Sequence, residues 1–340
     1  MKPLTPTSLE DRPAFLVTID TEGDNMWSRP RKILTENSRY LPRFQSLCER
    51  YGVRPTWLTN HEMAQCPVFV EFARDVIARD AGEVGVHLHA WNSPPDYRLT
   101  DDDFQYQPYL IEYPRDIVRE KFKRLVDLLE TEFERKMVSH RAGRWALDEH
   151  YCRVLVDHGI LVDCSVTPHV SWKRSLGVPS GSGGCDYRGF PPRAYFMDLE
   201  NLHLPGDSPL LQVPMTIRPS RFAGSGRIVR RLMESLPLRQ ARGLGQFLCP
   251  EVRWLRPGRR GSAASMKKLV AESRDHAEFM LHSSEFMPGG SPRFPTRNSI
   301  ESLYDSLEKL FEFVSERCVG LTLNEYHGRV VSSAVSDPGS

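Results

Sequence analysis

Ala14-Phe15-Leu16-Val17-Thr18-Ile19-Asp20-Thr21-Glu22 is a short apolar run that ends in two acids. Residues 14–20 read as a buried strand. In an extended chain residues i and i+2 project to one side, so the carboxylates of Asp20 and Glu22 face one spot. Such a pair at a strand end either solvates its own loop or takes part in chemistry, and only a partner elsewhere in the chain decides between the two.

Outward from this run, short apolar stretches alternate with longer amphipathic ones, which is the pattern of β/α units. A helix capped by Asn37 or Ser38 carries Tyr40, Leu41, Phe44, Leu47, Cys48 and Tyr51 on one face and stops at Gly52. Strands are expected over 53–59, 83–89, 137–140 and 160–165, with helices over 67–79, 114–135 and 147–158 between them. Lys121 interrupts the apolar stripe of the helix over 114–135. Regularity fails over 167–209, where Gly, Pro and Ser crowd around Ser180-Gly181-Ser182-Gly183-Gly184. A strand over 210–217, another over 277–283, a helix over 299–316 and a last strand over 319–323 complete the pattern. About seven strands, each followed by a helix or a long loop, give an α/β chain folded as a distorted (β/α) barrel, with chemistry expected at the C-terminal ends of its strands. One domain is expected over 1–330, with an irregular insertion over about 167–275 between the middle and last strands and a flexible tail over 331–340.

Composition fits this class and excludes others. With 340 residues, 40% hydrophobic and 26% charged, the chain is neither fully disordered nor a polytopic membrane protein. A net charge of +1 leaves no whole-chain case for nucleic acid as a partner. Charge is nevertheless uneven, since residues 218–268 hold eleven Arg and two Lys against only Glu234 and Glu251. That segment is either a solvated basic face or a surface for phosphate, anionic glycan or anionic lipid. The seven cysteines are odd in number, scattered and without a Cys-x-x-Cys pair, as expected of reduced structural thiols. Residues 1–13 contain three prolines and no apolar core of signal-peptide length. The cytoplasm is the expected compartment, with peripheral contact at the inner face of the membrane open to the basic segment.

His87-Leu88-His89 closes the third strand, and the same alternation points both imidazoles to one face. Two His and one carboxylate form a metal set suited to Zn²⁺ with an open position for water. His282 follows on a later strand in Leu281-His282-Ser283-Ser284-Glu285, ahead of the turn Met287-Pro288-Gly289-Gly290, a candidate substrate-binding loop.

In order along the chain, Thr18-Ile19-Asp20-Thr21-Glu22, Glu83-Val84-Gly85-Val86-His87-Leu88-His89, His140-Arg141-Ala142-Gly143-Arg144-Trp145, Val162-Asp163-Cys164-Ser165-Val166-Thr167-Pro168 and Phe279-Met280-Leu281-His282-Ser283 resemble the motifs of the NodB-homology polysaccharide deacetylases, carbohydrate esterase family 4. Two positions depart from the commonest pattern. Thr21 stands where a second aspartate is usual, and Trp91 stands where a histidine four residues after His87 is usual.

The resemblance implies a NodB-like barrel and metal-dependent deacetylation of an N-acetylated amino sugar in surface polysaccharide or glycolipid biosynthesis. It makes the substrate an N-acetylated sugar, a glycan or a lipid-linked glycan. Carried onto this sequence, it makes Asp20 the base, paired with Arg141, and His282 the general acid. Glu22, His87 and His89 become ligands of a divalent metal, expected to be Zn²⁺, with His89 on the strand face of His87 in place of the missing histidine. Exchange of Asp20 and Glu22 between base and ligand stays open. Asp163 either holds His282 charged or caps a turn. Trp91, Arg144 and Trp145 are the expected substrate-binding residues, and Trp91, Trp145 and Trp172 either stack on sugar faces or pack the core. The residue types suit amide hydrolysis, which needs an activated water, a base for its proton and an acid for the departing amine. A deformylase or other amidohydrolase acting on a small N-acyl compound is the alternative, and a non-catalytic sugar-binding relative is the third possibility.

Overall fold

The structure, a computed structural model, describes residues 12–220, 252–258 and 261–336. Among these residues eleven strands follow one another: β1 (Ala14–Thr21), β2 (Pro55–Thr59), β3 (Glu83–Leu88), β4 (Ser139–Ala142), β5 (Val162–Asp163), β6 (Tyr195–Phe196), β7 (Leu211–Gln212), β8 (Ile217–Pro219), β9 (Val252–Trp254), β10 (His276–His282) and β11 (Val319–Leu321). Nine of them form one sheet in the order β10-β1-β2-β3-β4-β5-β7-β6, with β11 paired to β1. All its pairings are parallel except β6 with β7. Beyond β7 the chain keeps bonding on both sides. Val213 N–H donates to the Asp163 carbonyl at 2.8 Å, Met215 N–H to that of Val166 at 3.0 Å, and Glu278 N–H to Thr216 Oγ1 at 2.9 Å. The segment thus bridges β5 to β10 and draws the ends of the curled sheet together.

Alternation along β1 divides its side chains between two cores. Phe15, Val17 and Ile19 face the helical layer and join the large cluster with Phe44, Phe69, Phe122 and Phe311. Ala14 and Leu16 point inward with Leu58, Val162, Leu211 and Val213. The inward row then continues with Thr18 and Asp20, so the barrel interior changes from apolar at its base to polar at the C-terminal rim.

Several elements differ from the sequence expectations for identifiable reasons. The expected strand over 210–217 is broken into β7 and β8, with Pro214 between them unable to donate to a ladder. Asn37 does not cap the first long helix, which spans Leu41–Arg50. Its side chain is buried and donates to Asp24 Oδ1 at 2.6 Å and to the Glu22 carbonyl at 2.9 Å. Lys121, on the helix Arg115–Phe133, is buried and donates through Nζ to the carbonyls of Ser93 and Pro95 at 2.5 and 2.6 Å. The expected flexible tail from Val331 is helical as far as Ser336, because the helix Leu323–Ser336 plugs the base of the barrel with Leu323 and Tyr326. Within the insertion, residues 167–209 are largely irregular apart from β6, and most of the basic segment 218–268, namely 221–251 and 259–260, lies outside the described residues. Cys48, Cys66, Cys152, Cys164, Cys185 and Cys318 are free thiols, and Cys249 lies outside the described residues. Among the described residues no helix is long and apolar enough to cross a membrane.

Candidate active site

Parallel register brings the polar residues of four strands to one rim. Asp20 on β1 lies opposite His282 on β10, and His87 on β3 opposite Arg141 on β4. Glu22 and His89 follow their strands by one residue, and Glu22 is tied to the turn after β10. Glu22 N–H donates to Ser283 Oγ at 3.1 Å, and the Ser283 hydroxyl donates to the Glu22 carbonyl at 3.0 Å.

Glu22, His87 and His89 are buried, and one donor atom from each lies within 4.8 Å of the others. His87 Nε2 is 3.1 Å from His89 Nε2, His89 Nε2 is 2.8 Å from Glu22 Oε2, and His87 Nε2 is 3.8 Å from Glu22 Oε2. Donors about 2.0–2.2 Å from a tetrahedral ion stand about 3.3–3.6 Å from one another, a range these separations straddle. His87 Nδ1 lies 2.9 Å from the Arg141 carbonyl, a bond that places the proton on Nδ1 and leaves the Nε2 lone pair facing Glu22 and His89. Burial pushes the His89 imidazole down toward its neutral, ligating form, against the pull of Glu22. Burial would also raise the Glu22 carboxyl, but His87, His89 and His282 hold it far below the usual carboxylate range. The donor set therefore fits a divalent metal of the Zn²⁺ type.

Asp20 belongs to a different pair. Arg141 Nη1 donates to its Oδ1 at 2.6 Å, and Oδ2 stands 3.9 Å from His87 Nε2 and 3.8 Å from His282 Nε2. Burial favours its neutral acid, but Arg141, His87 and His282 outweigh that and hold it ionised. Arg141 is itself fully buried, with Nη2 on Thr18 Oγ1 at 2.7 Å and Glu278 Oε1 at 2.5 Å, and Nε on the Cys164 carbonyl at 3.2 Å.

His282 turns Nε2 toward Asp20 and toward Glu22 Oε1, the latter at 3.9 Å. Asp163 does not support it. Asp163 is fully buried, lies 2.7 Å from His140 Nδ1 and accepts from Ser165, while His140 Nε2 meets the Tyr151 hydroxyl at 2.7 Å. The carboxylate beside His282 is Glu285, with Oε2 3.2 Å from His282 Nδ1. Asp163 is occupied because β4 and β5 place it opposite His140.

The expected substrate residues separate. Trp91 packs on His89 with ring centroids 4.4 Å apart, and Trp145 lies against the Arg141 guanidinium at 4.9 Å. Arg144 turns away to the carbonyls of Gln107 and Leu176 and to Ser175, stacked on Tyr109 at 4.0 Å, so it braces the insertion instead of lining the metal-binding group. Trp172 donates from Nε1 to Thr167 Oγ1 at 2.9 Å and approaches Trp254.

No protein-family profile matches the chain, and no curated protein matches its sequence. Among solved structures, a candidate polysaccharide deacetylase from Mycobacterium smegmatis superposes with a TM-score of 0.51 at 13% identity, over 98% of this chain and 95% of that one. A candidate glycoside hydrolase/deacetylase from Parabacteroides distasonis gives a TM-score of 0.60 at 12% identity, over 97% of this chain and 73% of that one. The chain has the NodB-like polysaccharide deacetylase fold. A 4-alpha-glucanotransferase from Thermococcus litoralis matches as well, with a TM-score of 0.51 at 13% identity over 94% of this chain and 40% of that one. This NodB-like barrel therefore does not select a reaction by itself, and the chemistry must be read from its side chains.

Besides Glu285, three groups in this site escaped the sequence reading. Glu278 and Thr18 bond each other and share Arg141. Both were legible in principle, being inward residues two or four positions before Asp20 and His282. Trp27, 40% exposed, meets His282 edge-on at 4.8 Å. It sits in the loop after β1, and no periodicity there marks it.

Proposed function

We propose that this chain is a metal-dependent hydrolase that removes the acetyl group from an N-acetylated amino sugar. The observation that carries this is the placing of Asp20 Oδ2 and His282 Nε2, 3.8 Å apart, beside the buried group Glu22, His87 and His89. Those three residues would hold the ion and Asp20, engaged by Arg141, would be the base. A divalent metal bound there supplies an acidified water and polarises the acyl oxygen. Asp20 Oδ2 takes the proton as water attacks the amide carbon, while Arg141 fixes Oδ1 and keeps the carboxylate charged. His282 presents Nε2–H to the departing sugar nitrogen, which leaves poorly unless protonated. Trp145 and Trp91 wall the site and limit the acyl group that enters. The natural setting in this reading is assembly of a surface polysaccharide or glycolipid at the cytoplasmic side of the membrane.

The test is acetate and free-amine release from N-acetylglucosamine oligosaccharides by chelated and Zn²⁺-restored protein. Activity should vanish on chelation and return with metal. Glu22→Ala, His87→Ala and His89→Ala should each lower metal content from near one equivalent, whereas Asp20→Asn should retain metal and lose turnover. Release of formate but not acetate from matched acylated sugars would redirect the assignment to a deformylase. Metal-replete protein inert on every acylated sugar would overturn it.

A further inference from the structure

We infer that Glu285, clamped by Arg256 from the insertion, is the positioning residue for His282. This rests on His282 being the proton donor of the reaction proposed above. Glu285 lies three residues after His282 in the single 3₁₀ turn Ser283–Phe286. That turn carries its carboxylate back over the strand end, where one oxygen, Oε2, accepts from His282 N–H at 3.0 Å and lies 3.2 Å from Nδ1. A ring tied to the same atom as its own backbone amide has little freedom of rotation. The Nδ1 contact also decides which nitrogen faces the reacting groups, since a proton held at Nδ1 leaves Nε2 toward Asp20.

Glu285 is fully buried, so its charge must be compensated by protein groups. Arg256 donates from Nη2 to the same Oε2 at 3.0 Å, and its side chain is only 13% exposed. Arg293 Nη1 stands 3.6 Å from Oε1. Burial would raise the Glu285 carboxyl, but Arg256, His282 and Arg293 hold it down at about 2. Among the described residues neither Glu285 Oε1 nor Arg256 Nε has a hydrogen-bond partner. The contact is therefore monodentate and concentrated on the oxygen that faces His282. Arg256 lies two residues after the end of β9, so it carries the support of Glu285 in from the insertion.

The experiment uses the full chain loaded with Zn²⁺ and two substrates, an N-acetylated oligosaccharide and an aryl acetate whose leaving group needs no proton. Glu285→Gln keeps the shape and removes the charge, and Arg256→Ala removes the clamp at a second position. Each should lower kcat on the amide by roughly 10- to 100-fold, the usual cost of losing a partner that orients a histidine, with a much smaller loss on the ester. Arg256→Lys should recover part of the Arg256→Ala loss. Melting temperature and metal content control for folding. Equal losses on both substrates, or no loss on the amide, overturn the inference. If His282→Ala itself shows no amide-selective loss, it is the donor assignment that has failed. Positioning is then read from ¹⁵N shifts of the His282 ring at alkaline pH. The Nδ1–H tautomer should dominate in the parent and decline in Glu285→Gln, because a neutral amide oxygen accepts less strongly than a carboxylate. An unchanged tautomer overturns the inference whatever the turnover.

Discussion

Arg141 uses each of its three nitrogens, on Asp20, on Thr18 and Glu278, and on the Cys164 carbonyl. Lysine, with a compact ammonium group, cannot reproduce that fork. In Arg141→Lys, burial should win over the weakened attraction and push the Asp20 carboxyl upward. A base that must be ionised then becomes active only at higher pH, so the acid limb of kcat/KM should move to higher pH. An unmoved limb would remove Arg141 from this role. Gly143 poses a different constraint. A Cβ there would lie 2.4 Å from the Leu88 carbonyl oxygen and 2.7 Å from His89 Nδ1, and neither neighbour can yield without moving a candidate ligand. Gly143→Ala should therefore lower bound metal in elemental analysis as well as the melting temperature. Loss of stability with full metal content would mean that His89 can shift without consequence. Asp20 and His87 were legible because strand alternation reports side, and Arg141 through the resemblance of its motif. The pairing of Asp163 with His140 and not His282 was hidden, because it depends on which strand lies beside which.

At the scale of elements, the helix Arg115–Phe133 shows why an imperfect pattern carried information. Its stripe holds Val118, Phe122, Leu125, Val126 and Leu129 in the core, and Lys121 falls within it. Burial pushes the Lys121 ammonium down to about 8, and its hydrogen bonds hold the turn that follows Trp91. Lys121→Met should leave the Ser93 and Pro95 carbonyls without that donor and cost about 1–3 kcal/mol in urea unfolding. Unchanged stability would show that water replaces the ammonium there. The long strands and helices were legible because each carries its own apolar run. The two-residue β6 was not, and β5 and β7 came out shorter than the runs that marked them, since such strands are bounded by their neighbours more than by their own sequence.

Over the whole molecule, barrel closure was legible in outline and the course of the chain inside the insertion was not, because a Gly-, Pro- and Arg-rich segment has no period to read. Residues 218–268 bear thirteen basic against two acidic side chains on a chain of net charge +1. If they meet an anionic donor or membrane surface, binding to vesicles containing anionic lipid should exceed binding to neutral ones. It should also weaken with salt, because exposed charges are screened over about 8 Å at physiological ionic strength. Equal binding to both vesicle types would leave a solvated face. Pairing of β1 with β10 and β11 has a separate consequence, in the order of assembly during synthesis. As it leaves the ribosome β1 finds β2 promptly, but its neighbour on the other side is β10, more than two hundred residues later. The base of the barrel is sealed by Leu323 and Tyr326, which emerge later still. Such long-range pairing is slow and leaves a strand edge exposed meanwhile. Nascent chains halted before β10 should therefore be held by chaperones or aggregate, and Asp20 meets His282 only once β10 has been made.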